Sequence, residues 1–197
     1  MSKNILILLV VQFLSAFADN AILFTVIAIV LQTSATASWY IPALQSVFLI
    51  AFVLLAPWVG AIADRYPKPN ILIIANLIKA SGAFLLFLAI EPIIAYGIIG
   101  IGAALYSPAK YGILPEYSQQ QALLKANSWV EGSTILAVLS GMVIGARIAD
   151  QSIDYALITV LILFLTSAVI TLLLPKQNSP SRTLTTGISV FITQLKG

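Results

Sequence analysis

Residues 41–90 read IPALQSVFLIAFVLLAPWVGAIADRYPKPNILIIANLIKASGAFLLFLAI. Two apolar runs, each long enough to cross a bilayer, flank the break Ala63–Asn70, which gathers one acid, two bases and two prolines. Neither run alternates with period two, so the stretch predicts two antiparallel spanning helices joined by a short polar turn. The same pattern extends in both directions. It predicts six spans at about 5–31, 41–62, 71–90, 93–114, 126–149 and 154–174. Their connections are short: Gln32–Tyr40, Ala63–Asn70, Glu91–Pro92, Pro115–Lys125 and Asp150–Ile153.

Composition agrees. Of 197 residues 60% are hydrophobic, which matches the roughly 120 apolar residues that six crossings need and falls far short of twelve. The expected fold class is an all-α integral membrane protein, a six-transmembrane-helix bundle over residues 1–175. Residues 176–197 follow as a cytoplasmic linker, with Leu184, Ile188, Phe191, Ile192 and Leu195 on one face of a short amphipathic helix. The charged start and Ala16-Phe17-Ala18 are suggestive of a signal peptide, but the apolar pattern resumes at Ala21, so the first span is expected to remain uncleaved.

The absence of His and Cys removes imidazole bases, thiol nucleophiles and the commonest metal ligands, so no metal or cofactor is expected. A net charge of +3 scattered among apolar runs makes no nucleic-acid footprint. The placement of charge says more. Lys3, Arg65, Lys68, Lys125, Lys176, Arg182 and Lys196 fall on one side of the predicted membrane and Arg147 on the other, which puts both termini in the cytoplasm. Trp39, Tyr40 and Tyr117 near span ends are expected interfacial anchors.

Ionic groups inside apolar spans are costly and need partners or water. Gln12, Ser15 and Asp19 share one face of the first span, with Asn20 beside them. Lys79 sits eight residues into the third span, roughly 12 Å deep, with Asn76 one turn earlier. Lys110 follows Ser107-Pro108 late in the fourth span, and Glu131 comes early in the fifth. Depth suggests two pairs, Asp19 with Lys79 and Lys110 with Glu131. Each pair reads either as helix-packing glue or as part of a pathway; Asn20 and Pro108 are expected to let their helices open. Gly141 and Gly145, one turn apart, invite close approach of another backbone, as do Gly97, Gly100 and Gly102.

The break holds the strongest local signal, Gly60-Ala61-Ile62-Ala63-Asp64-Arg65-Tyr66-Pro67-Lys68. Gly60 is expected to permit close helix contact, Asp64 to cap a helix or accept from a base, and Arg65 and Lys68 to hold the loop in the cytoplasm. The segment resembles the G-x-x-x-D-R-x-x-[RK] signature of the major facilitator superfamily, with Pro67 where that family carries glycine. The resemblance implies two six-helix halves, each of two inverted three-helix repeats, around a cavity that alternately faces each side. A closer likeness rests on Gln12–Phe17, Asp19-Asn20-Ala21, Ala63-Asp64, Ala75-Asn76 with Lys79, Tyr106–Leu114, Lys125-Ala126-Asn127 and Glu131. Together these resemble the bacterial lysophospholipid transporter family.

That resemblance implies carriage of lysophosphatidylethanolamine and lysophosphatidylglycerol from the outer to the inner leaflet of the bacterial inner membrane by alternating access. It also implies a cytoplasmic acyltransferase that restores the missing chain, and functional roles for Asp19, Asn20 and Lys110. Expected substrate-contacting residues are then Gln12, Ser15, Asp19, Asn20, Lys79 and Lys110, and expected conformational ones Gly60, Asp64, Arg65, Lys68, Pro108 and Glu131. Expected partners are the lysophospholipid, membrane lipids and a second six-helix half, whether missing, separate or supplied by a second copy. Two alternatives stay open: a proton-coupled antiporter of the same superfamily, although Ala146 replaces the proline of its G-x8-G-x3-G-P pattern, and a half-length assembly partner that transports nothing. An intramembrane enzyme using Asp19 and Asp64 is disfavoured by their different depths.

Overall fold

The computed structural model describes residues 2–32, 39–118 and 120–176. Six helices occupy nearly all of them: α1 (Lys3–Gln32), α2 (Tyr40–Arg65), α3 (Lys68–Phe87), α4 (Pro92–Tyr117), α5 (Gln120–Gln151) and α6 (Ile153–Thr171). All six are long and apolar enough to span a membrane. The amphipathic helix expected over Leu184–Leu195 lies outside the described residues.

The helices reach further into the polar breaks than hydropathy predicts. Only Tyr66 and Pro67 separate α2 from α3, and α4 continues through Pro115 to Tyr117. The physical reason is that charge at a helix end is incompatible with hydrocarbon but not with helical hydrogen bonding. Pro67 sits at the N-cap of α3 and Pro69 in its first turn, where a missing N–H costs nothing. Asp64 therefore caps no helix: it lies exposed in the last turn of α2. Likewise Asn20 and Pro108 do not break their helices, since α1 and α4 run through both.

Helix α3 ends earlier than predicted, at Phe87. Ala89 takes the left-handed conformation at φ 57°, its N–H bonds to Leu86 O at 3.0 Å and the Ile90 N–H to Leu85 O at 3.0 Å, which is a Schellman stop built without glycine. Ala89→Gly should raise thermal stability by about 0.5–1 kcal/mol, the left-handed penalty less the extra entropy of glycine. An unchanged or lowered melting temperature in detergent would contradict it.

Packing follows a symmetric scheme. Helix α1 packs on α5 and α6, α4 packs on α2 and α3, and α3 meets α6. Exchanging α1 with α4, α2 with α5 and α3 with α6 maps this scheme onto itself, and the alternating direction of consecutive spans makes the relation an inverted one. Two inverted three-helix repeats are the half-fold that the resemblance implies.

Glycines set the closest approaches. A Cβ on Gly141 would stand 2.5 Å from Phe17 O and one on Gly145 2.5 Å from the Ala21 Cα, so both hold α5 against α1. Gly97 and Gly100 face α2, and Gly102 faces Ala75 and Lys79 of α3. Gly60 and Gly132 have nothing within 4 Å of such a Cβ, so the close contact expected at Gly60 does not occur. Gly141→Leu should sharply reduce the yield of folded protein while Gly132→Ala leaves it unchanged; equal yields from size-exclusion chromatography would overturn the packing assignment.

Most of the buried apolar residues form two clusters. One contains Ile22, Val26, Leu44, Ile99 and Phe164; the other contains Leu8, Leu72, Ile113 and Val130. Between them, at mid-height, lie the buried polar residues Gln12, Ser15, Asn76, Lys79 and Ser167. The polar layer is where the site is built.

A candidate substrate cleft

A chain of hydrogen bonds crosses this layer. Lys79 is wholly buried, and its Nζ donates to Asp19 Oδ2 at 2.7 Å and to Ser15 Oγ at 3.0 Å. Ser15 Oγ donates to Asn76 Oδ1 at 2.8 Å, Asn76 Nδ2 to Ser167 Oγ at 3.1 Å, and Ser167 Oγ to the Val11 carbonyl at 3.0 Å. The rings of Tyr106 and Phe164 face the ammonium at 4.5 and 5.6 Å. Lys79 is thus held among α1, α3, α4 and α6, with its ammonium committed to Asp19 and Ser15.

Asp19 is different. Its side chain keeps 23% exposure, and its Oδ1 accepts no hydrogen bond from the described residues. It opens on a cleft of about 200 Å³ lined by α1, α2, α3, α4 and α5, among them Gln12, Asn20, Ser107, Lys110 and Thr134. Phe48, Phe52 and Val138 supply apolar wall on α2 and α5. The expected residues Gln12, Asp19, Asn20, Lys79 and Lys110 are therefore brought to one place, whereas Ser15 lies behind it in the hydrogen-bond chain.

Lys110 stands in a looser environment than Lys79. Its Nζ is 3.8 Å from Glu131 Oε1, beyond hydrogen-bond reach, and 4.2 Å from the centroid of the Tyr111 ring. Glu131 is 40% exposed, so the pair borders water. Both ion pairs suggested by depth exist, and they are unequal: Lys79–Asp19 is a tight hydrogen bond, while Lys110, itself buried, is held loosely by Glu131. Asn20 Nδ2 turns back to the Ala16 carbonyl at 2.8 Å.

The break residues lie elsewhere, at the end where α1 begins. Arg65 is exposed with its guanidinium 5.8 Å from the Tyr66 ring. The stem of Lys68 is buried over Gly112, and its ammonium pairs with Glu116 in the last turn of α4. Sequence reasoning missed Glu116, which hydropathy assigns to a loop, and also Thr134 and Ser167. A carboxylate at the depth of Lys68 was the available clue to the first; single hydroxyls in apolar helices give no such clue.

A family model described as the Major Facilitator Superfamily matches residues 8–194. The chain belongs to the major facilitator superfamily. Among relatives, a protein named Lysophospholipid transporter LplT from Photorhabdus laumondii is 42% identical over 182 residues, which is 92% of this chain and 46% of that protein. Proteins of the same name from Salmonella heidelberg and Salmonella typhimurium are 44% identical over 175 residues, 89% of this chain and 44% of theirs. The chain spans about half the length of the curated relatives it matches. Within the superfamily fold, the cleft lies on the face formed by α1, α2, α4 and α5, the helices related in pairs by the inverted repeat.

Proposed function

We propose that this chain forms one half of a lysophospholipid transporter. The observation that carries the reading is a small open cleft at mid-membrane height that presents one anion and one loosely held cation with an apolar wall beside them. A phosphate diester matches Lys110, and the ammonium of an ethanolamine head matches the unpartnered Oδ1 of Asp19. The single acyl chain stays among the exposed apolar side chains of α2 and α5, or in lipid, while the head avoids hydrocarbon. No covalent step is needed.

Lysophosphatidylethanolamine and lysophosphatidylglycerol would be carried from outer to inner leaflet, with Lys3, Arg65, Lys68, Lys125 and Lys176 at the cytoplasmic face. Alternating access requires a second bundle to rock against this one, and an acyltransferase would consume the product. The test is to supply labelled lysophosphatidylethanolamine to spheroplasts with and without the protein. Protein-dependent appearance of phosphatidylethanolamine is expected; equal rates in both preparations would contradict the proposal.

A further inference from the structure

Gln12 carries a buried acceptor that no group among the described residues uses. The residue is 4% exposed, it lines the cleft, and its Oε1 has no hydrogen-bond partner. Its Nε2 donates to Thr134 Oγ1 at 2.9 Å, while the Thr134 hydroxyl donates to the Val130 carbonyl at 2.8 Å. That second bond fixes the amide orientation. With its proton already given to Val130, the Thr134 oxygen can only accept from Gln12, so Nε2 faces Thr134 and Oε1 is left free.

An unsatisfied buried acceptor costs about 1–3 kcal/mol, and a ligand donor that meets it recovers that cost. On the lysolipid reading, which this inference rests on, one donor distinguishes the ligand from every intact diacyl phospholipid. It is the free glycerol hydroxyl left where the second acyl chain is missing. Gln12 and Lys110 line the cleft toward the same end, because α1 and α4 run in opposite directions and Gln12 precedes Asp19 while Lys110 follows Tyr106. A head whose phosphate lies at Lys110 and whose ammonium lies at Asp19 therefore has its glycerol on the Gln12 side.

We infer that Gln12 is a specificity-determining residue, with Oε1 accepting the free glycerol hydroxyl and so selecting lysolipids against lipids that lack it. A diacyl lipid brings an ester there, which offers no proton and adds a chain. Sites built around a substrate hydroxyl reject analogues without it far more strongly than apolar pockets reject an extra methylene.

The test compares lysophosphatidylethanolamine with its 2-deoxy analogue, which keeps acyl chain, phosphate and ammonium but lacks the hydroxyl. Binding is measured on the protein in nanodiscs by native mass spectrometry. The wild-type protein should bind the hydroxylated lipid at least about tenfold more tightly. Gln12→Leu should weaken that lipid about tenfold, leave the analogue within about twofold, and so erase the difference. Thr134 keeps its bond to Val130 in that variant, and the wild-type comparison stands even if the variant does not fold. Equal binding of both lipids by the wild type, or an equal loss of both in Gln12→Leu, would overturn the inference while sparing the transport reading. Binding of neither lipid would remove both.

Discussion

Lys110→Ala abolishes protein-dependent flip of lysophosphatidylethanolamine and leaves the amount and melting temperature of the inserted protein unchanged. The two halves of this expectation have separate grounds. A charge-assisted contact to phosphate contributes about 1.5–3 kcal/mol, so its loss weakens headgroup binding about 10- to 150-fold. Stability is largely spared because the Lys110–Glu131 separation of 3.8 Å is beyond hydrogen-bond reach and the Glu131 side chain, 40% exposed, has room to turn its carboxylate to water. Lys110→Arg should retain part of the activity through the same charge. The measurement is reacylation of externally supplied lipid in spheroplasts. Undiminished reacylation would take Lys110 out of the site.

Asp19→Ala is expected to act on the fold first. It strands the ammonium of Lys79 in a position with no solvent contact, and breaking a buried pair by removing one member costs about 3–5 kcal/mol. Lys79→Met should cost less, because the carboxylate left behind retains 23% exposure on the cleft. The double variant Asp19→Ala/Lys79→Met should recover much of the loss, since no unpaired charge remains buried. Thermal unfolding of all three in the same detergent checks the order. If the single Asp19 variant proves the most stable, the pair is not the enclosed structural element that the hydrogen-bond chain implies. Transport by the double variant should remain absent, which separates the role of Asp19 in the cleft from its role in packing.

Much of this was legible in the sequence, and the reasons differ by residue. The six spans follow from run length alone. Both ion pairs follow from depth, because antiparallel helices at equal height leave a charged group few partners. Hydropathy could not show that Lys79 is tightly paired and Lys110 loosely so, since that depends on how the helices close around each ammonium. The same limit explains Gly60 and Gly141: their sequences look alike, yet one faces empty space and the other the Phe17 carbonyl. Hydropathy misplaces helix ends where bases and prolines suggest loops. Asp64, Arg65 and Glu116 extend helices beyond the apolar core, and Ala89 stops one in a conformation that its side chain disfavours. That Gln12 Oε1 stays unpartnered depends on the Thr134 hydroxyl being committed to Val130, which no sequence spacing encodes.

On the proposed function, Asp19 and Lys110 share one water-reachable cleft that receives a lipid headgroup. The chain has no cysteine, so single cysteines report without background. Ser107→Cys, on the cleft wall, and Leu136→Cys, on the exposed apolar face of α5, are treated with a membrane-impermeant maleimide in nanodiscs. The expected result is labelling at position 107, slowed about tenfold by lysophosphatidylethanolamine as a bound head excludes the reagent, and none at position 136. An unreactive cysteine at 107, or one whose labelling ignores the lipid, would contradict it.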